Sequence, residues 1–209
     1  MGKKLLLIGG GGHCHSVLDT VLSLNIYENV GIIDRDDCSY LNVNKIGVDE
    51  DIPRLFGEGW TDAFVTVGSV GNPSIRRQLY TIAKEIGLSF PKIIDPTAII
   101  GNGVTIGEGT FVGKKVVINA GATIGTCAII NSGAIIEHDC IIGDFVHISP
   151  GAVLCGQVSV GNYSHVGAGS TIRQLIAIGD NSLVGAGSVV TKNVPANIKA
   201  FGNPCKAVE

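Results

Sequence analysis

The sequence predicts a two-part protein, a small α/β domain followed by a parallel β-solenoid. Charged residues fall from 21 of the first 97 to 12 of the remaining 112. The shift lies at Asp95-Pro96, a turn-type dipeptide. Before it, strand-like and helix-like segments alternate, as in a parallel sheet covered by helices. After it, an aliphatic residue recurs at every sixth position from Ile100 to Val190, the mark of a repeat architecture. The domains are therefore read as 1–97 and 98–209.

Residues 4–8 form a continuous apolar strand. The chain opens with MGKKLLLIGGGGH, basic then apolar, but it meets glycines and has no A-x-A-like cleavage site, so it reads as a strand and not a leader. After the four glycines at 9–12, residues 16–24 are apolar at 17, 18, 21, 22 and 24, the spacing of a helix. Residues 30–33 are a second strand ending at Asp34. Residues 51–56 read as a short helix with Pro53 in its first turn. A third strand, 63–67, ends at Gly68. Residues 73–86 carry Ile75, Leu79, Ile82, Ala83 and Ile86 on one helical face, and Gly87 stops the helix.

In the second half, all sixteen positions in the six-residue register are Ile, Val or Leu. At the chain's 45 % hydrophobic fraction, the odds of that are about 3 in a million. Position five of each hexad is always small or β-branched. Positions five and one are two apart, so they share one face of an extended strand. Position six points outward, and positions two to four form the turn, where Gly, Asn and Asp accept positive φ. An α-helix is excluded, because a period of six would put successive aliphatics on opposite sides.

Composition removes several functional classes. Net charge is −3 with no Lys/Arg run, so neither nucleic acid nor an anionic membrane is an expected partner. No apolar run approaches the ~18 residues of a membrane span. Six cysteines without a C-x-x-C pair read as reduced thiols of a cytoplasmic protein. His13, Cys14 and His15 are consecutive and cannot readily converge on one ion, so no metal is expected. Glycine, at 30 of 209 residues, is about twice its usual ~7 %, as frequent turns require.

The hexads resemble those of the hexapeptide-repeat acyltransferases. GGGGHCHSVLD at 9–19, GIIDRDD at 31–37, VGSVGNPSIRRQL at 67–79, IIDPTAIIG at 93–101, NSGAIIEHDCIIGDFVHISPGA at 131–152 and FGNPCKAV at 201–208 are similar to bacterial sugar acetyltransferases. That group comprises the sialic acid O-acetyltransferase-like proteins and the UDP-4-amino-sugar N-acetyltransferases. The resemblance implies an α/β Rossmann-like N-terminal domain followed by a left-handed parallel β-helix with three hexads per triangular coil. The handedness rests on the resemblance alone and runs against the usual right-handed crossover. It further implies acetyl-CoA as co-substrate, a homotrimer, and acetyl-CoA lying in the groove between adjacent solenoids.

His138 occupies a turn position pointing away from the core. An imidazole suits the removal of a proton from an attacking amine or hydroxyl, and the resemblance makes His138 the general base. The following residue, Asp139, would support the ring; some relatives carry Glu there. A solvated turn histidine is the alternative. Gly156 lies 18 residues on, one coil, and should stack ~4.8 Å away. The resemblance assigns its amide to the thioester oxyanion. A turn glycine needing positive φ is the other reading, and both can hold. The resemblance puts His147 beside the cofactor and Asn131 near the sugar or catalytic loop, although Asn131 is equally a turn former. His165 reads equally as a surface residue. Backbone amides near Gly167 and Gly185 would contact acetyl-CoA, with Lys192, Lys199 and Lys206 near its phosphates. The segment Gly202-Asn203-Pro204-Cys205-Lys206 resembles the group's G-x-P-A-K loop, with Cys205 replacing alanine and no nucleophilic role.

In the first domain, Gly10, Gly11, Gly12 and His13 lie between strand and helix, where amides can cradle a phosphate; a plain connecting turn is the alternative. Cys14 stands where a third fingerprint glycine would be, so NAD is not expected. Asp34 ends the second strand, placed for a ribose hydroxyl or a uracil edge, with Asp36 as a second acidic candidate. The expected activity is direct acetyl transfer to a UDP-linked 4-amino sugar. O-acetylation of a sialic acid or related sugar is the nearest rival, and a non-catalytic solenoid scaffold is the rival of another class.

Overall fold

The structure is a computed structural model that describes residues 2–208. It separates into two compact units. One runs to Ser69 and resumes over Ser74–Ile93; the other comprises Val70–Pro73 and the chain from Ile94 onward.

The first unit contains β1 (Lys4–Ile8), α1 (Gly12–Leu24), β2 (Asn29–Ile33), β3 (Ser39–Tyr40), β4 (Val43–Gly47), α2 (Ile52–Gly57), β5 (Asp62–Val65) and α3 (Ser74–Ile86). The sheet order is β3-β4-β2-β1-β5, with β1 central and parallel to β2 and β5. Leu5 to Ile8 are fully buried, as a strand covered on both faces should be. The first helix starts at Gly12, not at 16, because Gly11 serves as its N-cap, and the buried Cys14 is the apolar residue of its first turn. The β3–β4 hairpin escapes the pattern analysis. Its loop, Leu41 and Asn42, has two positive φ values (50° and 63°), a primed-turn geometry usually signalled by Asn-Gly. Neither that dipeptide nor apolar alternation marks the segment.

The second unit is a left-handed parallel β-helix. After β6 (Ile93–Ile94), sixteen two-residue strands follow at six-residue intervals, from β7 (Ile99–Ile100) to β22 (Val189–Val190). From β7 to β19 each pairs in parallel with the strand 18 residues on, as Ile135 with Val153 and Ile136 with Leu154, so three strands make a coil. β23 (Lys199–Phe201) and the antiparallel β24 (Lys206–Val208) close the far end. Position one fills the prism: Ile118, Ile136, Leu154, Ile172 and Val184 are all 0 % exposed.

The turn obeys a narrower rule than the sequence suggested. Positive φ falls on position four alone, at fifteen successive corners from Gly103 to Gly187. Eight of these are not glycine, from Lys115 to Asn181. Side chains at the corners project from the prism, and residues 18 apart stack in columns.

Because the interior is one continuous aliphatic column, removing one layer leaves a hole that neighbouring coils cannot fill. Ile136→Ala is expected to cost about 2–5 kcal/mol, read from the denaturation midpoint of the β-helix.

Candidate active site

His138 sits at position three of the corner between strands 135–136 and 141–142. Its ring is exposed, as is the neighbouring Asp139. Nδ1 of His138 donates to Asp139 Oδ2 at 2.9 Å. An ionised carboxylate only accepts, so in the neutral ring the proton resides on Nδ1, and among the described residues nothing engages the Nε2 lone pair. Asp139 holds the left-handed position four, φ 57°, and its N–H is anchored to the Ala120 carbonyl of the preceding coil (3.0 Å).

Gly156 stacks directly on His138. The Gln157 N–H donates to the His138 carbonyl at 2.9 Å. A Cβ on Gly156 would stand 2.5 Å from His138 Nε2 and 2.7 Å from Cε1. A side chain here would displace the imidazole from its place over residue 156. The expectation of positive φ at Gly156 is corrected, since left-handed backbone falls on the next residue, Gln157. Among the described residues the Gly156 N–H has no acceptor. At several equivalent corners the amide is satisfied: those of Thr126, Asp144 and Asn162 each donate 2.7 Å to an Oδ1 one coil on. A free lone pair and a free N–H therefore sit side by side, able to accept a proton and hold a developing anion.

The other predicted residues of the solenoid lie elsewhere. Asn131 occupies the preceding corner, and its Nδ2 donates to His147 Nε2 at 3.3 Å. The His147 ring meets His165 edge-on at 4.9 Å, and Ser149 Oγ lies 3.2 Å from His165 Nε2. His165 is 7 % exposed, so the surface reading is corrected. Burial holds its pKa below the ordinary imidazole value. Within one chain this group is a corner away from His138. Acetyl-CoA is expected against amides near Gly167 and Gly185, and the two glycines' own amides are engaged within the solenoid. Their N–H groups already donate to Val184 and Ala200 carbonyls (2.8 and 2.9 Å). Both glycines serve close packing: a Cβ on Gly167 would strike Ala186 backbone, and one on Gly185 the Phe201 ring. Lys206 shares a cavity of about 240 Å³ with Lys192 and Cys205.

In the first unit, a cavity of about 520 Å³ opens at the carboxyl ends of β1 and β2, lined by Asp34, Arg35, Asp49 and Glu50 against Ile75 and Ile82 of α3. Asp34 is engaged by the glycine loop. Its Oδ2 accepts the Gly10 N–H at 2.5 Å and its Oδ1 the Asp36 N–H at 3.0 Å. The Gly10 bond, foremost, holds its carboxyl below the usual range. A Cβ on Gly10 would collide with Cys38 Sγ, whereas one on Gly11 or Gly12 would meet nothing within 4 Å. His13 lies in the first turn of α1, and Asp36 is exposed outside the cavity. Asp49 and Glu50, which the sequence reading missed, follow β4, a strand whose presence it also missed. Burial pushes the Asp49 carboxyl up. Among the described residues no cluster could hold a metal ion, and no helix is long and apolar enough to cross a membrane.

The depressed Asp34 carboxyl stabilises the fold when ionised. The stability gap between wild type and Asp34→Asn should be complete above the ordinary pKa of about 3.9. It should vanish as pH falls through the lower folded value; urea melts from pH 7 to 2 test this.

A family profile described as "PglD N-terminal domain" matches residues 4–83. "Bacterial transferase hexapeptide (six repeats)" matches 139–174, and "Hexapeptide repeat of succinyl-transferase" matches 103–138 and 157–192. No curated protein matches. Among solved structures, the acetyltransferase domain of PglB from Neisseria gonorrhoeae is 34 % identical, covering 99 % of this chain and 100 % of that one, with TM-score 0.93. PerB from Caulobacter crescentus, in complex with CoA and GDP-perosamine, is 35 % identical over 100 % and 98 %, with TM-score 0.94. WeeI from Acinetobacter baumannii, at 24 % identity over 99 % and 100 % and TM-score 0.88, shares the fold. With one-third identity over essentially the whole chain on top of the hexad architecture, this protein belongs to the bacterial hexapeptide-repeat sugar acetyltransferases, enzymes that depend on acetyl-CoA.

Proposed function

We propose that the enzyme transfers acetyl directly from acetyl-CoA to the 4-amino group of a sugar carried on a nucleoside diphosphate. The observation that carries this reading is the pairing of a free His138 Nε2 with the free Gly156 N–H one coil above. The substrate amine attacks the thioester carbonyl and forms the new C–N bond. His138 Nε2 takes the amine proton, Asp139 stabilises the imidazolium through Nδ1, and the Gly156 N–H binds the oxyanion. Collapse expels the CoA thiolate, which leaves with that proton as the thiol.

Acetyl-CoA is placed along the column above His138. Gly156, Gln174 and Lys192 follow at 18-residue intervals, so Lys192 is three coils away, roughly 14 Å. There Lys192 and Lys206 share the C-terminal cavity and are positioned for the phosphates. A homotrimer is part of the reading. Outward residues such as Ile99 and Ile141 are 66 % and 60 % exposed, and a second copy would bring the Asn131–His147 corner towards a neighbour's His138. The enzyme is assigned to the cytoplasm, where acetyl-CoA is made.

Residues 1–97 are proposed to hold the nucleotide. Open space over Gly11 and Gly12 at the start of α1 suits the diphosphate, and the 520 Å³ cavity suits the nucleoside, with spare Asp34 lone pairs for the ribose. Uridine is the carrier that the resemblance implies. PerB, crystallised with GDP-perosamine, favours guanosine as a second reading. Transfer to a sialic acid hydroxyl would use the same histidine, and thiol release from acetyl-CoA with UDP- and GDP-linked 4-amino sugars, CMP-sialic acid and free sialic acid separates these.

His138→Ala should lower kcat by about two orders of magnitude or more while acetyl-CoA binding, followed by calorimetry, persists. Near-wild-type turnover would remove His138 from the chemistry. Asp139→Asn should retain binding and lose about tenfold or more in kcat.

A further inference from the structure

We infer that Gly121 is a positioning residue for the His138–Asp139 pair: its missing side chain leaves the space in which the Asp139 carboxylate folds back onto His138 Nδ1. The inference rests on the reading of that pair as base and support.

Gly121 lies one coil before Asp139 in the same corner column, at position four, φ 72°. Left-handed backbone does not by itself explain a glycine there, since Lys115, Cys127, Leu175 and five other L-residues hold the equivalent place. The surroundings do. A Cβ on Gly121 would stand 2.6 Å from Asp139 Oδ1. At Gly133, Gly151, Gly169 and Gly187 it would meet nothing within 4 Å, and at Gly103 only backbone at 3.8 Å. Among these corner glycines, Gly121 alone is pressed by a side chain, and that side chain is the carboxylate bonded to the histidine (2.9 Å).

A shift of Oδ1 away from residue 121 moves the carboxylate relative to Nδ1. Asp139 is held by its own left-handed backbone and by its N–H to the Ala120 carbonyl at 3.0 Å. A methyl at 121 therefore displaces Oδ1 and turns Oδ2 from Nδ1. Gly156 clears the imidazole from the coil above, and Gly121 clears the carboxylate from the coil below.

The test compares Gly121→Ala with Gly103→Ala, which has the same φ of 72° but open space, each alone and with Asp139→Ala. Gly121→Ala should lose on the order of ten- to a hundredfold in kcat, with KM for acetyl-CoA within about twofold, while Gly103→Ala stays within about twofold of wild type in both. In the Asp139→Ala background, adding Gly121→Ala should change kcat less than about twofold. The His138 Nδ1–H proton resonance should disappear in Gly121→Ala and persist in Gly103→Ala. If Gly121→Ala folds poorly, Gly121→Ala/Asp139→Ala should recover the Tm of Gly103→Ala, because the collision is with the carboxylate. Equal kcat for the two single variants, an undiminished Gly121→Ala loss without the carboxylate, or no Tm recovery would overturn the inference. Wild-type kcat in Asp139→Ala would instead remove the pair itself.

Discussion

Each corner of the solenoid turns on one residue with positive φ, and the rest of the β-helix depends on it. Two strand residues and a left-handed corner make a side; three sides make a coil that returns the chain to its own start one strand spacing higher. Left-handed backbone costs an L-residue about 1–2 kcal/mol, and eight of the fifteen corners carry that cost. What offsets it is cooperative. Every coil donates backbone hydrogen bonds to the next, and every hexad adds an aliphatic side chain to one uninterrupted core. A coil alone could bury neither.

The same geometry decides where chemistry can sit. Inward position one is aliphatic throughout and the inward polar residues Thr110, Ser164, Ser170, Ser182 and Ser188 are buried, so accessible polar groups are confined to corners and outward strand positions. Corners stack at the strand spacing, so a residue's nearest functional neighbours are 18 positions away rather than adjacent in sequence. His138 and Gly156 meet in this way, and so do Asp139 and Gly121. The columns also separate groups. Asn131, Ser149, His147 and His165 gather at one corner, and His138 stands at the next.

The N-terminal unit reaches its site by a different route. Parallel strands end together at one edge of the sheet, and the cavity forms where β1 and β2 end. Asp34 anchors this edge by tying the second strand to the glycine loop through Gly10. A residue expected to contact ligand thus also shapes the loop beside it. Asp49 and Glu50, which also line the cavity, come from the segment after β4.

Local pattern alone determined the repeat, its sixteen strands, the inward faces of the prism and the strand–helix alternation ahead of it, because periodicity and side-chain polarity are properties of neighbouring residues. The resemblance pointed to His138, Asp139 and Gly156, and the fixed count of residues per coil stacked residue 156 on residue 138. Pattern did not reveal why Gly156 is glycine, that Gly167 and Gly185 have no free amide, that His165 is buried, or that Leu41 and Asn42 form a hairpin turn. Each of these depends on which atoms occupy the space beside a residue, and that is set by the stacking of distant segments. Only the tertiary structure decides it, because a close contact or a vacant amide is a relation between chains of atoms brought together by folding.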